Sequence, residues 1–356
     1  MSQESLSQHA YAEAGVDVAA AERLVSRFAE LVKLTRRPEV LADVGPFSGL
    51  FRLGSYHDPV LVASADGVGT KLKLVSLLGR YDTVGQDLVN HCVNDILTTG
   101  AEPLFFLDYI GGYGLPDEAK VEIVRGVATA CRAVGCALLG GETADMPGLY
   151  AEGDFDLVGF IVGVVEREAL IDGSRIRAGD VLLGLSSCGL HTNGYSLVRK
   201  VFGVGLGGDP EAERAVLYAN YPGLGLTLGE ELLRPHRCYY NDLKPVLPLL
   251  RGIAHITGGG LPGNVPRILP DKSGLAARLD KPALSRVEGP AWKPQPIFRL
   301  IQERGNIAEE EMYRTFNMGL GMVLAVAPGD VDTVRAQLRE ALLVGEVVRG
   351  TGVVWR

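Results

Sequence analysis

Between residues 66 and 147 three acidic interruptions break otherwise apolar segments: Asp66-Gly67-Val68-Gly69-Thr70-Lys71, then Asn94-Asp95, then Gly140-Gly141-Glu142-Thr143. No other feature restricts the fold as much, because an ionised carboxylate at a strand end is costly to bury without a partner. The apolar run Val60-Leu61-Val62-Ala63 ahead of Asp66 reads as a buried strand. Gly67 and Gly69 after it let the backbone turn sharply and approach a ligand. Asp66, Asp95 and Glu142 stay ionised together most simply around a hard divalent cation, and Mg²⁺ keeps waters and bridges to substrate phosphates. The stretch is therefore read as a metal-nucleotide site, against a plainer account in which Asp66-Gly67 is a turn and Asp95 a solvated helix position. The P-loop spacing Gly-x-x-x-x-Gly-Lys-Ser/Thr does not occur, so phosphate binding takes another geometry.

A chain of 356 residues is long for one core and favours two domains. The polar run from Glu166 to Asp180 is the best boundary, giving a nucleotide-binding domain over 1–168 and a substrate domain over 169–356. A formal charge of -8 and a pI near 5.4 argue against nucleic acid or an anionic membrane as the main partner. Five scattered cysteines without a Cys-x-x-Cys pair read as reduced thiols, not a zinc site. No leader pattern is visible, and no apolar run approaches the roughly 18 residues a bilayer span needs, so a soluble cytoplasmic protein is expected.

Residues 1–10 are polar and read as loose. Leu24, Val25, Phe28, Leu31 and Val32 then recur at helical steps, and Arg36-Arg37-Pro38 ends that helix as a solvated cationic terminus. A second helix spans 83–99, with Val84, Leu88 and Cys92 on its apolar side. Asp87, Asn90, His91, Asn94 and Asp95 form a polar stripe that faces solvent or, in the sharper reading, phosphate and metal. Strands at 104–107 and 155–165 flank a helix at 117–134, so the domain mixes α and β.

In the second half, strand Val181–Leu185 feeds a loop with His191, Thr192, Asn193, Gly194 and Ser196 that opens a helix at Leu197. That loop suits a phosphomonoester or a plain N-cap equally. Gly258, Gly259 and Gly260 imply a close backbone approach or left-handed angles, and Arg267 an anion ligand or a surface charge. Residues 283–296 read as an irregular connection, 323–326 as a strand and 330–343 as a terminal helix.

Taken in order, Tyr11 to Asp17, Asp66 to Lys71, Cys92 to Asp95, Gly100 to Tyr109, Gly140 to Gly148, His191 to Leu197, His255 to Gly260 and Phe316 to Met322 resemble the phosphoribosylformylglycinamidine cyclo-ligase family, also called aminoimidazole ribonucleotide synthetases. Its ATP-binding superfamily also contains formylglycinamidine ribonucleotide synthase, selenophosphate synthetase and thiamine monophosphate kinase. Gly263 departs from the family pattern, in which an acidic residue precedes the asparagine. The resemblance implies an α+β homodimer of two mixed domains. In it the N-terminal strands join the dimer mate in a barrel-like sheet and ATP lies in a cleft without a P-loop. It also implies the reaction: ATP and formylglycinamidine ribonucleotide give aminoimidazole ribonucleotide, ADP and phosphate.

Placed on that scheme, Asp66, Asp95 and Glu142 hold Mg²⁺. Lys71 and the backbone of Gly67, Val68, Gly69 and Thr70, with Asn94, Gly140, Gly141 and Thr143, hold ATP. His191 is the expected acid/base or oxyanion-stabilising group and also a substrate contact, with Asp95 and Lys71 also catalytic. Thr192, Asn193, Gly194, Ser196 and Gly258, Gly259 and Gly260 bind substrate. The rivals keep the scaffold and change the acceptor, or make the chain a nucleotide-sensing module. A selenophosphate synthetase needs an N-terminal nucleophilic Cys, whereas the first cysteine here is Cys92, and hydrogenase-maturation relatives end in a cysteine where this chain ends Trp355-Arg356.

Overall fold

A computed structural model describes residues 18–42, 48–282 and 292–356. The motif at Tyr11 to Asp17, the polar start and residues 283–291 of the proline-rich connection lie outside them. Two sheets organise the chain. The first has four strands in the order β1-β4-β2-β3: β1 (Pro59–Gly67), β4 (Phe155–Glu166), β2 (Glu102–Gly112) and β3 (Ala137–Asp145). β4 runs antiparallel to both its neighbours, and β3 runs parallel to β2.

One face of this sheet is covered by helices. α1 (Val18–Lys33) is followed by Thr35, whose hydroxyl accepts from the Leu138 N–H at 2.9 Å and ties the turn to β3. A short 3₁₀ turn at Gly69–Lys71 runs into α2 (Leu72–Leu78). α3 (Val84–Leu97) and α4 (Asp117–Ala133) pack on the strands, burying Leu88, Val89, Cys92, Val93 and Ile96 of α3.

The opposite face carries Leu61, Val158 and Phe160, which remain exposed. This corrects the expectation of a buried strand before Asp66. β1 is an edge strand, and alternation turns every second residue of its apolar run outward.

The second sheet has six strands in the order β10-β7-β9-β5-β8-β6. These are β5 (Val181–Ser186), β6 (Leu250–His255), β7 (Leu275–Leu279), β8 (Leu320–Val326), β9 (Leu342–Arg349) and β10 (Val353–Trp355). β8 is buried along its whole length. The expected helix over 330–343 is real only at Val331–Gln337. Leu342 to Arg349 instead forms β9, between β5 and β7, because Val344 and Val347 bury there against the sheet. Pro296 opens a helix to Gly305, where proline's missing N–H costs nothing. Helix α5 (Tyr195–Phe202) follows the loop after β5.

The two halves meet along α3. Asp87 accepts from the His236 N–H at 2.7 Å and pairs with Lys71 at 2.7 Å. Asn90 donates to the His236 carbonyl at 2.7 Å. Asn94 donates to the Arg237 carbonyl at 2.8 Å and accepts from the Tyr239 N–H at 3.0 Å. Much of the polar stripe on α3 thus faces neither solvent nor phosphate. It satisfies the backbone of the Arg234–Tyr239 segment, which has no sheet partner of its own.

Candidate active site

Asp66 ends β1 and Asp95 sits on the last turn of α3. Residues 62, 64 and 66 share the helix-facing side of β1, so the two carboxylates converge. Ser64 donates to Asp95 Oδ2 at 3.1 Å. His91, one turn before Asp95, places Nε2 2.8 Å from Asp66 Oδ2 and 3.9 Å from Asp95 Oδ2. His255, the last residue of β6, places Nδ1 2.8 Å from Asp95 Oδ1. Burial pushes the Asp66 carboxyl up, but the His91 hydrogen bond and charge outweigh it and hold the group below its ordinary value. Asp95 behaves alike, with His255 as its main counterweight to burial.

Thr192 and His236 complete a circuit behind these residues. Thr192 Oγ1 lies 2.8 Å from His91 Nδ1 and 3.3 Å from His236 Nδ1, and His236 Nε2 lies 3.1 Å from His255 Nε2. The hydrogen-bond directions can be assigned from the network. Burial lowers the pKa of His255, and burial with the surrounding histidines lowers that of His236 well below its ordinary value, so both rings are neutral. Asp95 accepts only, so the His255 proton is on Nδ1 and its Nε2 accepts from His236 Nε2–H. His236 Nδ1 then accepts the Thr192 hydroxyl proton, and Thr192 accepts from His91 Nδ1–H. His91 is left with two N–H groups and a positive charge. Its pKa agrees: burial lowers it, but Asp66 and Asp95 together raise it above the ordinary value.

Two cavities meet at this cluster. One of about 560 Å³ is lined by Asp66, His91, Asp95, His255, Thr257 and Arg267 among others. Its neighbour of about 540 Å³ is lined by Asp66, Gly67, Val68, Gly69, His91, Asp156, Thr192, Asn193, Thr257 and Gly258. The turn after β1 and the glycine loop after β6 therefore form opposite walls of one cleft. Asn264 shapes the second wall, donating to the Gly258 and Gly260 carbonyls at 3.2 and 2.9 Å. The left-handed reading of the glycines holds at Gly260, whose φ is +58°; the close approach there is to the Tyr313 carbonyl oxygen of the same half, 1.9 Å from where a Cβ would stand.

Several expected residues are elsewhere. Glu142 does not join Asp66 and Asp95. Asp66 pairs with Gly159, Gly159 with Asp108 and Asp108 with Gly141, so three strand spacings, roughly 14 Å, separate it from Asp66. Tyr109, its β2 partner, alternates onto the uncovered face, and Glu142 faces out with it. Gly140, Gly141 and Thr143 go with that strand and line neither cavity.

Lys71 is fully buried, held by Asp87 and donating to the Arg234 carbonyl at 2.9 Å, and it lines neither cavity. Asn94 is buried and engaged with residues 237 and 239, not with phosphate. His191 stacks on His236 at 4.0 Å, away from both cavity walls, and burial lowers its pKa first among several causes. Its Nε2 accepts from the Cys188 N–H at 3.3 Å and its Nδ1 finds no partner among the described residues. Ser196 meets Thr70 at 3.0 Å across the two halves, and Gly194 caps α5. Thr192, Asn193 and Gly258 do line the cleft, whereas Gly259 and Gly260 turn the loop behind it.

The sequence reading passed over His236 entirely and gave His255 no role. The only signal was indirect: a polar stripe on an apolar helix must be answered by polar groups elsewhere, and His236 and His255 answer it beside His91.

Among known proteins, residues 49–165 match the AIR synthase related protein N-terminal domain and residues 177–356 its C-terminal domain. The phosphoribosylformylglycinamidine cyclo-ligase of Desulfitobacterium hafniense is 50% identical over 350 residues, covering 95% of this chain and 96% of that protein. The one of Geobacillus thermodenitrificans is 49% identical over 353 residues, 97% of each. The fold is shared at lower identity. A hydrogenase maturation protein HypE in complex with ATP superposes with TM-score 0.61 at 16% identity, over 94% of this chain and 91% of that one. A thiamine-monophosphate kinase from Stenotrophomonas maltophilia gives 0.59 at 16%, over 92% and 95%. AaThiL complexed with AMPPCP and TMP gives 0.53 at 14%, over 83% of each. The two domains are thus those of the AIR synthase related class. The chain belongs to the phosphoribosylformylglycinamidine cyclo-ligase family and is an enzyme, a ligase.

Proposed function

We propose that the protein closes the imidazole ring of aminoimidazole ribonucleotide, in purine biosynthesis, from formylglycinamidine ribonucleotide and ATP, releasing ADP and phosphate. The observation that carries this is the meeting of two cavities on Asp66, His91 and Thr257, with one wall from each sheet. Two ligands can lie end to end there. Superposable proteins hold ATP or AMPPCP, which supports a nucleotide as one of them.

A formamide carbonyl is a poor electrophile and its oxygen a poor leaving group. Phosphorylating that oxygen from ATP creates an iminophosphate, and attack by the substrate's own nitrogen on the same carbon expels phosphate. The attack is intramolecular, so holding the ends together supplies several kcal/mol, up to roughly ten. Phosphoryl transfer needs alignment and charge neutralisation. His91 supplies a fixed positive charge on the wall shared by both cavities, its two N–H groups being held by Asp66 and Thr192. Gly67 to Gly69, Asn193 and Gly258 line the second cavity, where a phosphate chain would meet backbone N–H groups and a side-chain amide.

Mg²⁺ fits the carboxylate oxygens. Asp66 is 44% exposed and Asp95 28%, both line the larger cavity, and one or two carboxylates are what this ion uses beside substrate phosphates. When bound it supplies charge neutralisation at the transferring phosphoryl group. Among the described residues, His91, Asp95 and His255 bring ligand-type atoms within 4.8 Å of one another, but both imidazole nitrogens there donate to carboxylates and leave no lone pair for a metal.

The uncovered face of the first sheet, with Leu61, Val158 and Phe160 exposed, supports a homodimer closed through that face, as the family resemblance implies. The domain boundary is placed at 168/169, in the link between the sheets. No helix among the described residues is long and apolar enough to cross a membrane.

The test is ADP release with formylglycinamidine ribonucleotide, thiamine monophosphate or selenide as acceptor. Release only with the first is expected; release with thiamine monophosphate in its place would overturn the assignment.

A further inference from the structure

His236 touches neither Asp66 nor Asp95, yet hydrogen bonds lead from its two ring nitrogens to both. Its backbone N–H is held by Asp87 Oδ1 at 2.7 Å, and its ring is covered on one face by His191 at 4.0 Å. Its Nδ1 meets Thr192 at 3.3 Å and its Nε2 meets His255 at 3.1 Å. The side chain is 1% exposed, so solvent replaces none of these contacts. Thr192 leads through His91 to Asp66, and His255 leads directly to Asp95.

We infer that His236 is a positioning residue for the ligation reaction: one ring, donating at Nε2 and accepting at Nδ1, fixes which nitrogen of His255 faces Asp95 and which way the Thr192 hydroxyl points toward His91. A neutral imidazole has one donor and one acceptor on opposite edges. Placed between two arms, it imposes one direction on both. Without it, the bare Nε2 of His255 and the hydroxyl of Thr192 lose their partner in a buried site. His255 is then free to move its proton to Nε2 and turn a lone pair on Asp95, and the hydroxyl is free to reverse against His91. The two acids lose their common orientation although no group that touches them has changed. Outer-shell partners of this kind are worth about 10- to 100-fold in activity.

The inference rests on reading Asp66 and Asp95 as the acids at the nucleotide, and its test separates the two. His236→Ala, His236→Gln and His236→Asn are compared with the wild type by steady-state ADP release. Long-range ¹H–¹⁵N correlation spectra report the tautomer of His255, and melting curves report folding. In His236→Ala, kcat falls about 10- to 100-fold while KM for ATP stays within about threefold, and the Nδ1–H signature of His255 is lost. The glutamine amide keeps a donor toward His255, so His236→Gln regains that signature and part of kcat. The asparagine variant, which reaches only toward Thr192, does not.

If the alanine variant does not fold, the Gln and Asn pair decides. A folded His236→Ala with kcat within about threefold of wild type overturns the inference. So does an equal loss in all three variants with the His255 signature intact, which would reduce His236 to packing. If the wild type releases no ADP with formylglycinamidine ribonucleotide, the proposed reaction fails, while the His255 spectra still judge the positioning.

Discussion

Replacing Lys71 by Met tests most directly whether its burial or its position beside a glycine turn decides its role. Methionine keeps most of the side-chain volume and removes the ammonium. Asp87, itself fully buried, is left with the His236 N–H as its remaining close donor. Breaking one side of a buried ion pair costs about 3–5 kcal/mol, because the other charge stays behind uncompensated. At about 2.1 cal/mol/K per residue, 356 residues give an unfolding entropy of roughly 0.75 kcal/mol/K, so a loss of about 4 kcal/mol lowers Tm by about 5 °C if the chain melts as a unit. Adding Asp87→Asn removes the stranded charge while its amide oxygen still accepts from His236, and the double variant recovers most of the loss. The assay is a double-mutant cycle by thermal and urea denaturation, with KM for ATP measured alongside. A Lys71→Met protein that melts within about 1 °C of wild type while its KM for ATP rises about tenfold would refute the reasoning and return Lys71 to the triphosphate.

Asp66→Asn keeps the fold but removes the charge facing His91, and it lowers ADP release at least about 100-fold; unchanged turnover removes Asp66 from the reaction. Phe160→Glu places a charge on the uncovered sheet face and shifts the species seen by light scattering from dimer to monomer; an unchanged mass removes that face from the interface. Burial pushes the Asp108 carboxyl up to about 7. The folded protein therefore holds a proton there that the unfolded chain releases near about pH 4, and stability falls as pH rises across that window. Urea midpoints at about pH 5 and about pH 8 should differ less in Asp108→Asn than in wild type; equal differences would place the effect elsewhere. A Cβ at Gly321 would lie 1.9 Å from the Tyr239 hydroxyl and 2.8 Å from His191 Cε1, so Gly321→Ala lowers the melting temperature by several degrees; an unchanged melt would show that this wall yields.

The first sheet was legible because its strands alternate with long periodic helices, and α3 and α4 appeared within a residue or two of their ends. β7, β9 and β10 were not, since short strands with mixed composition look like loops until neighbours bury one face. Asp66 and Asp95 were legible as a pair because each interrupts an apolar run beside glycine or asparagine. Glu142 satisfied the same pattern, yet within the chain it lies three strands from Asp66. Spacing along the chain carries no information about which strand of a sheet lies beside which. Lys71 was read beside the glycine turn, whereas the partner that holds it, Asp87, lies on another helix and could not be read from the turn itself. His236 shows the limit most clearly, since its importance lies entirely in three contacts from distant parts of the chain.

The bonds from α3 to the backbone of the Arg234–Tyr239 segment have a kinetic corollary. Enzymes that swallow their ligands by swinging one lobe against another need a hinge whose surfaces separate cheaply. Here separation would strip Asn90 of the His236 carbonyl, Asn94 of the Arg237 carbonyl, Lys71 of the Arg234 carbonyl and Asp87 of the His236 N–H together, so the lobes are riveted and the doorway has a fixed frame. Any opening for a ligand then falls to the small glycine loops at the threshold, which carry fewer such ties than the seam between the lobes.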